Sequence, residues 1–155
     1  MHDNIISLGE SIRSELDGRS LLTLRESMEE LIGGEWDRLI RPIISDEALI
    51  AGLTDPTKYQ RHIIFRCQEF EIVMIAWLPS QQTSIHGHPS GGCLFRVLDG
   101  RLSEQLFPEG GASSVLNTYT SKDAFGYIDD RTGRHRVECT SDRPTLSLHI
   151  YSPPL

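Results

Sequence analysis

The chain has 155 residues, enough for one hydrophobic core and few for two, so a single domain over 1–155 is expected. Its formal net charge of -7, from 15 Lys+Arg against 22 Asp+Glu, offers no basic stripe to nucleic acid, and 38% apolar with 24% charged residues is ordinary for a soluble globular protein. No run approaches the ~20 apolar residues of a membrane span, and Met1-His2-Asp3-Asn4 lacks the order of a secretion signal, so a cytoplasmic protein is expected.

Up to about Leu53 the pattern is helical. Leu21, Leu24, Met28 and Leu31 or Ile32 recur at intervals of three and four, Ser20 stands where a cap would, and Gly33-Gly34 reads as a stop. A second helix is expected from about Ser45-Asp46 to Gly52, with Pro42 and Pro56 breaking or bounding the helices. None of 1–55 carries evident chemistry.

From Tyr59 the period changes to two. Segments 59–65, 70–78, 93–98, 102–107, 115–119, 125–128, 134–139 and 145–151 are short, rich in branched and aromatic residues, and separated by Gly, Pro, Asp and Ser. They predict a mostly β unit over 56–155, an antiparallel sandwich or barrel with the N-terminal helices packed outside. Asp99-Gly100 is a strong hairpin signal between two of the strands.

Three cysteines, Cys67, Cys93 and Cys139, cannot all pair and match no CxxC zinc site. Cys67 and Cys139, within apolar alternating runs, read as small core residues. Cys93 differs, because it stands five positions after His88.

The chemistry concentrates in three histidines. His86-Gly87-His88 is an extended pair at a strand end, so both imidazoles project to one side, and a Gly-rich turn follows; His135 comes from another strand. Three neutral imidazoles leave a divalent ion most of its charge and open positions for an anionic group such as a thiolate. Zinc would accept the same set with water, so the ligands alone do not choose between hydrolysis and oxygen chemistry.

Tyr59 and Arg61 share parity, and a guanidinium facing a barrel interior calls for an anion, for which a planar carboxylate fits best; an exposed edge arginine is the alternative. Ser147, His149 and Tyr151 likewise share one face of the last strand, opposite Leu148 and Ile150, which suggests either solvent exposure or a hydrogen-bonded relay. His2 and His62 read as incidental.

The spacing of His86, His88, the residue at 93 and Gly100 resembles the first motif of the cupin superfamily, with Cys93 in place of the usual Glu and Ser80 in place of the usual Gly. Gly133 and His135 resemble the second motif, one residue closer than usual. Tyr59-Gln60-Arg61, Ser84-Ile85-His86-Gly87-His88, Cys93, Tyr127-Ile128-Asp129-Asp130, His135-Arg136-Val137-Glu138 and Ser147-Leu148-His149-Ile150-Tyr151-Ser152-Pro153-Pro154 together resemble the cysteine dioxygenases. These are cupin enzymes that oxidise a thiol with non-haem ferrous iron and dioxygen, and the similarity runs from about Tyr59 to the end of the chain.

That resemblance implies that His86, His88 and His135 hold Fe(2+), that Arg61 pairs with the substrate carboxylate with help from Tyr59, and that Tyr151 places its hydroxyl near the thiol and oxygen, supported by His149 and Ser147. It further implies that Cys93 can form a thioether to Tyr151, that Trp77 fills an aromatic position, and that Ser152-Pro153 is cis. The expected reaction is L-cysteine and dioxygen to cysteine sulfinic acid, by a monomer with no nucleic-acid or membrane partner. The alternatives are a dioxygenase of 3-mercaptopropionate or another small thiol, whose members tend to carry Gln where this chain has Arg61 next to Gln60, or a non-enzymatic metal-binding cupin that holds a small carboxylate. Two departures stand out: Gly87 replaces the Asp of the animal enzymes, and the chain stops at Leu155 without their C-terminal extension, so part of the pocket cover is expected to be missing or supplied otherwise.

Overall fold

The change of hydrophobic period near residue 59 marks the turn from helix to strand in the structure, a computed structural model that describes residues 2–155 and the side chains from residue 6 on. The helices are α1 (His2–Leu16), α2 (Arg25–Glu35), α3 (Arg41–Ile44) and α4 (Glu47–Leu53). Ser20 Oγ accepts from the Thr23 N–H at 3.4 Å at the start of a 3-10 turn, Leu22–Leu24, leading into α2. Asp46 caps α4 by accepting from the Leu49 N–H at 2.9 Å.

Gly33-Gly34 does not stop the helix. α2 runs through both glycines and continues as a π turn, Trp36–Ile40, into α3, whose first turn holds Pro42. Each mid-helix glycine costs about 1 kcal/mol, but burying a Met- or Ile-sized side chain contributes about 1.5–3 kcal/mol, and Met28, Ile32, Leu39 and Ile40 are all buried along this stretch. Packing therefore outweighs propensity. No described helix is long and apolar enough to cross a membrane.

The strands are β1 (Gln60–Arg66), β2 (Glu71–Trp77), β3 (Cys93–Asp99), β4 (Arg101–Pro108), β5 (Val115–Thr120), β6 (Gly126–Ile128), β7 (Gly133–Cys139) and β8 (Thr145–Tyr151). They form two antiparallel sheets, one ordered β1-β2-β8-β3-β6 and one ordered β5-β4-β7. Alternation sorts the central strands between two cores. Ile72, Met74, Leu94, Leu98, Leu148 and Ile150 face the helices, while Val73, Ile75, Trp77, Phe95, Val97 and Tyr151 face the second sheet. With both faces covered, β2 and β8 are buried at every position, which produces the near-continuous apolar text of β2. The result is the mostly β jelly roll with helices outside that the strand pattern predicts.

Asp99-Gly100 is a turn but not a hairpin between paired strands. β3 and β4 lie in different sheets, and the turn carries the chain across. Gly100 has φ 91°, and a Cβ there would sit 2.1 Å from Thr145 Oγ1, so the corner demands glycine. Cys139 is buried as expected; Cys67 is only half-buried, at the rim of the outer core.

Candidate metal centre

His86 is not at the end of a regular strand. β2 ends at Trp77, and the segment after it meets β7 through isolated bridges, Gln82 with Glu138 and His86 with His135. The His86 N–H donates to the His135 carbonyl at 2.9 Å and the His135 N–H returns to the His86 carbonyl at 3.1 Å. This exchange sets the two imidazoles side by side, and His88 closes the group. One nitrogen from each of the three rings lies within 4.8 Å of the others.

The ring environments prepare the nitrogens as ligands. His86 Nδ1 lies 2.9 Å from the Ser84 carbonyl oxygen, which can only accept, so Nδ1 carries the proton and Nε2 keeps its lone pair. His135 Nδ1 lies 2.7 Å from Glu104 Oε1, with the same consequence. The two Nε2 atoms are 3.1 Å apart. Two lone pairs at that distance repel unless a cation sits between them, and metal–nitrogen bonds of about 2.1 Å at right angles would separate them by about 3.0 Å. Burial lowers the pKa of His86 and, helped by the neighbouring His135 and His86, pushes His88 down to about 3, so these rings are neutral near pH 7. His88 Nδ1 is buried without a hydrogen-bond partner among the described residues. The donor set fits a divalent transition metal.

Two carboxylates support the ring positions. Glu104, on β4 with the inward parity of Leu102, is buried and accepts from Asn117 Nδ2 at 3.0 Å and from the Tyr119 hydroxyl at 3.2 Å besides meeting His135. Burial alone would raise its pKa, but the bonds from His135, Asn117 and Tyr119 hold it below the usual carboxylate range. Asp130 Oδ1 accepts the His88 backbone N–H at 2.8 Å. Its carboxylate also fills the space beside Gly87, where a Cβ would come within 2.5 Å of Oδ1. A larger residue at 87 would have to displace that carboxylate.

Beside the histidines lies a cavity of about 200 Å³, small against the ~300–1,000 Å³ of sites for drug-sized ligands and suited to a molecule of amino-acid size. Tyr59, Arg61, His86, His135, His149 and Tyr151 all line it. Tyr59 stacks on Trp77 with ring centroids 4.7 Å apart. Arg61 stands at the mouth with its side chain 36% exposed, its guanidinium 5.5 Å from the Tyr151 ring centroid and Nη2 3.4 Å from Glu71 Oε1. Gln60 faces elsewhere and donates to Asp55 Oδ2 at 3.1 Å. His62 points away toward the helices, 2.8 Å from the Leu53 carbonyl; His2 lies outside the described side chains.

Ser147, His149 and Tyr151 share the inner face of β8 and are buried, which excludes solvent exposure, and hydrogen bonds link Ser147 and His149. The Trp77 indole donates to Ser147 Oγ at 2.9 Å, and Ser147 Oγ lies 2.8 Å from His149 Nε2. His149 Nδ1 is 4.0 Å from Cys93 Sγ. Both nitrogens of His149 thus face other groups, and its contact with Tyr151 is ring stacking at 6.0 Å and 11°. Burial lowers His149 to about 3, raises the Tyr151 phenol and raises the Cys93 thiol, so all three are neutral near pH 7. Cys93 is the direct cross-strand partner of Tyr151 in the β3–β8 ladder. Ser152-Pro153 is cis.

Sequence reasoning missed Glu104, Asp130 and Glu71. Parity could have found two of them: Glu104 falls in step with Leu102 and Leu106, and Glu71 with Val73, Ile75 and Trp77, so each is a charge written into an inward face. Asp130 stands in the Tyr127-Ile128-Asp129-Asp130 segment, but nothing local gives it a role.

Comparison with known proteins agrees with this geometry. The chain is 32% identical over 108 residues to the cysteine dioxygenase type 1 of Danio rerio, covering 64% of this chain and 54% of that protein, and 32% identical over 107 residues to that of Homo sapiens, with the same coverage. It therefore spans about half the length of the curated relatives it matches. Among solved structures, an RmlC-like cupin from Shewanella frigidimarina superposes with a TM-score of 0.50 at 16% identity, covering 61% of this chain and 76% of that one, a likeness of fold. The family model described as cysteine dioxygenase type I matches residues 45–155, from α4 through all eight strands, and the chain belongs to that family.

Proposed function

We propose that this chain is a non-haem iron(II) thiol dioxygenase that converts L-cysteine and dioxygen to cysteine sulfinic acid, with 1–155 acting as one domain and as a monomer in the cytoplasm. The observation that carries the reading is the shared lining of one small cavity by His86, His135, Arg61 and Tyr151. Ferrous iron held by His86, His88 and His135 would supply a Lewis acid that lowers the thiol pKa and the redox chemistry that dioxygen requires.

The remaining work belongs to the protein. Arg61 presents a planar fork to the substrate carboxylate, and Tyr59, fixed by its stack on Trp77, walls the same side. Holding the carboxylate at the mouth aims the thiol inward at the histidines, which is an orientation effect. Tyr151, kept as a neutral phenol by burial, donates a hydrogen bond to the oxygens as negative charge develops on them. Ser147 and His149 stiffen that face from behind, and a thioether between Cys93 and Tyr151 would pin the ring. The balance needs no co-reductant: the S–H bond is given up, both oxygen atoms bond to sulfur, and the proton remains with the sulfinic acid.

Anaerobic loading with ferrous iron, followed by a panel of L-cysteine, 3-mercaptopropionate and cysteamine read as oxygen uptake and sulfinate formed, tests the reading. One sulfinate per dioxygen with L-cysteine preferred is the expected result. Preference for 3-mercaptopropionate would move the substrate assignment, and no uptake with any thiol would favour a non-enzymatic cupin that binds a small carboxylate.

A further inference from the structure

The guanidinium at the cavity mouth does not act alone. Glu71, the first residue of β2, is fully buried on the inner face. Its Oε1 is 3.4 Å from Arg61 Nη2 and accepts the Leu155 N–H at 3.3 Å, while its Oε2 is 3.7 Å from Arg66 Nε and has no hydrogen-bond partner among the described residues. Arg66 is held in place by donation from Nη2 to the backbone oxygen of Leu155 at 2.8 Å.

The charges in this cluster matter more than any single contact. A buried carboxylate beside Arg61 competes with an incoming carboxylate for the same N–H groups, and paired with Arg61 alone it would leave no net charge to attract a ligand. Arg66 changes the sum. Its guanidinium also faces Glu71 and offsets that carboxylate's pull on Arg61, which is the member that lines the cavity.

We propose that Glu71 and Arg66 are positioning residues that set selectivity for thiols carrying a carboxylate: Glu71 draws the Arg61 guanidinium over the Tyr151 ring, and Arg66 offsets the Glu71 charge so that Arg61 has attraction to spare. This rests on the proposed role of Arg61 and adds the residues that tune it. Neither Glu71 nor Arg66 lines the cavity, so their effect should fall on binding of the carboxylate and not on the chemical step.

The test compares wild type, Arg66→Gln, Arg66→Glu and the Arg66→Gln/Glu71→Gln pair. L-cysteine is set against cysteamine, which has the thiol and amine but no carboxylate. Anaerobic Kd values for the iron-loaded protein come first, then KM and kcat. Arg66 is half exposed and screened by solvent, so Arg66→Gln is expected to raise the Kd and KM for L-cysteine about three- to fivefold, with kcat and the cysteamine values unchanged. Arg66→Glu should raise them further, and adding Glu71→Gln to Arg66→Gln, which restores the wild-type charge balance around Arg61, should return the L-cysteine values toward wild type. Equal shifts for both thiols, no shift, no rescue in a folded double variant, or no binding of L-cysteine by wild type would overturn the proposal. Binding in the expected pattern without sulfinate would instead sink the proposed reaction and leave this inference standing.

Discussion

Glu104 Oε1 and His135 Nδ1 meet at 2.7 Å in the interior, joining residues 31 positions apart on β4 and β7. A carboxylate on the far nitrogen of a ligand histidine fixes its tautomer and raises the basicity of the nitrogen that faces the metal. Glu104→Gln keeps the size but loses the charge, and its metal affinity is expected to fall about 10- to 100-fold with the fold retained. Competitive titration with a chelator, beside circular dichroism of the same samples, measures both.

Arg61→Ala is expected to raise the L-cysteine concentration needed for half-maximal rate about 10- to 100-fold, the loss of a charge-assisted hydrogen bond, while iron content per chain stays near wild type. Steady-state kinetics and metal analysis on one preparation check it. An unchanged cysteine requirement would remove Arg61 from the site.

Cys93 and Tyr151 stand directly opposite across an antiparallel ladder, where Cβ atoms lie about 4.5–5.5 Å apart, close enough for one bond to bring sulfur to the ring. Aerobic turnover with iron and L-cysteine is expected to yield Cys93 and Tyr151 peptides joined, lighter than their sum by the pair of hydrogens lost, and Cys93→Ala should yield none. In the metal-free protein Cys93 is 1% exposed with its thiol pKa raised by burial, so alkylation should reach the half-buried Cys67 first; peptide mapping over time reads the order.

Gly87 and Asp130 should behave as one unit. Gly87→Ala would push the Asp130 carboxylate off the His88 N–H, and Asp130→Ala removes the same acceptor, so each is expected to cost about 1 kcal/mol. The double variant should cost little more than either alone, and urea unfolding of all four proteins gives the coupling.

Acid should weaken the metal-free fold through His149. Its pKa is about 3 in the folded chain against 6.5 as the unperturbed value, so between those limits the unfolded chain holds the extra proton. The stability is fully present above about pH 6.5 and is lost as pH falls toward 3, at up to ~1.4 kcal/mol per pH unit for one such group. Chemical unfolding from pH 7.5 down to 4.5 should show a shallower slope for His149→Gln than for wild type.

Much of this was legible from local text. Period-two alternation placed the strands, because each residue in a strand has only two faces to choose from, and the same rule put Ser147, His149 and Tyr151 together on one inner face. The pair His86 and His88 was visible because only one residue separates them. His135 was attached to them by motif and resemblance, and the bridge between His86 and His135 shows how the backbone brings them together.

What local text could not decide depends on partners chosen across the molecule. Pairing of Leu106 with His135 brings Glu104 beside the imidazole, sheet crossing makes Asp99-Gly100 a corner, and tertiary packing carries α2 through Gly33-Gly34. Likewise, only the folded chain sets Glu71 between Arg61 and Arg66 and gives the space beside Gly87 to Asp130. The sequence by itself determined which face each strand residue takes, since that follows from backbone geometry; only the tertiary structure decided which charge neighbours which nitrogen, since register and sheet closure are set by contacts distant in the chain.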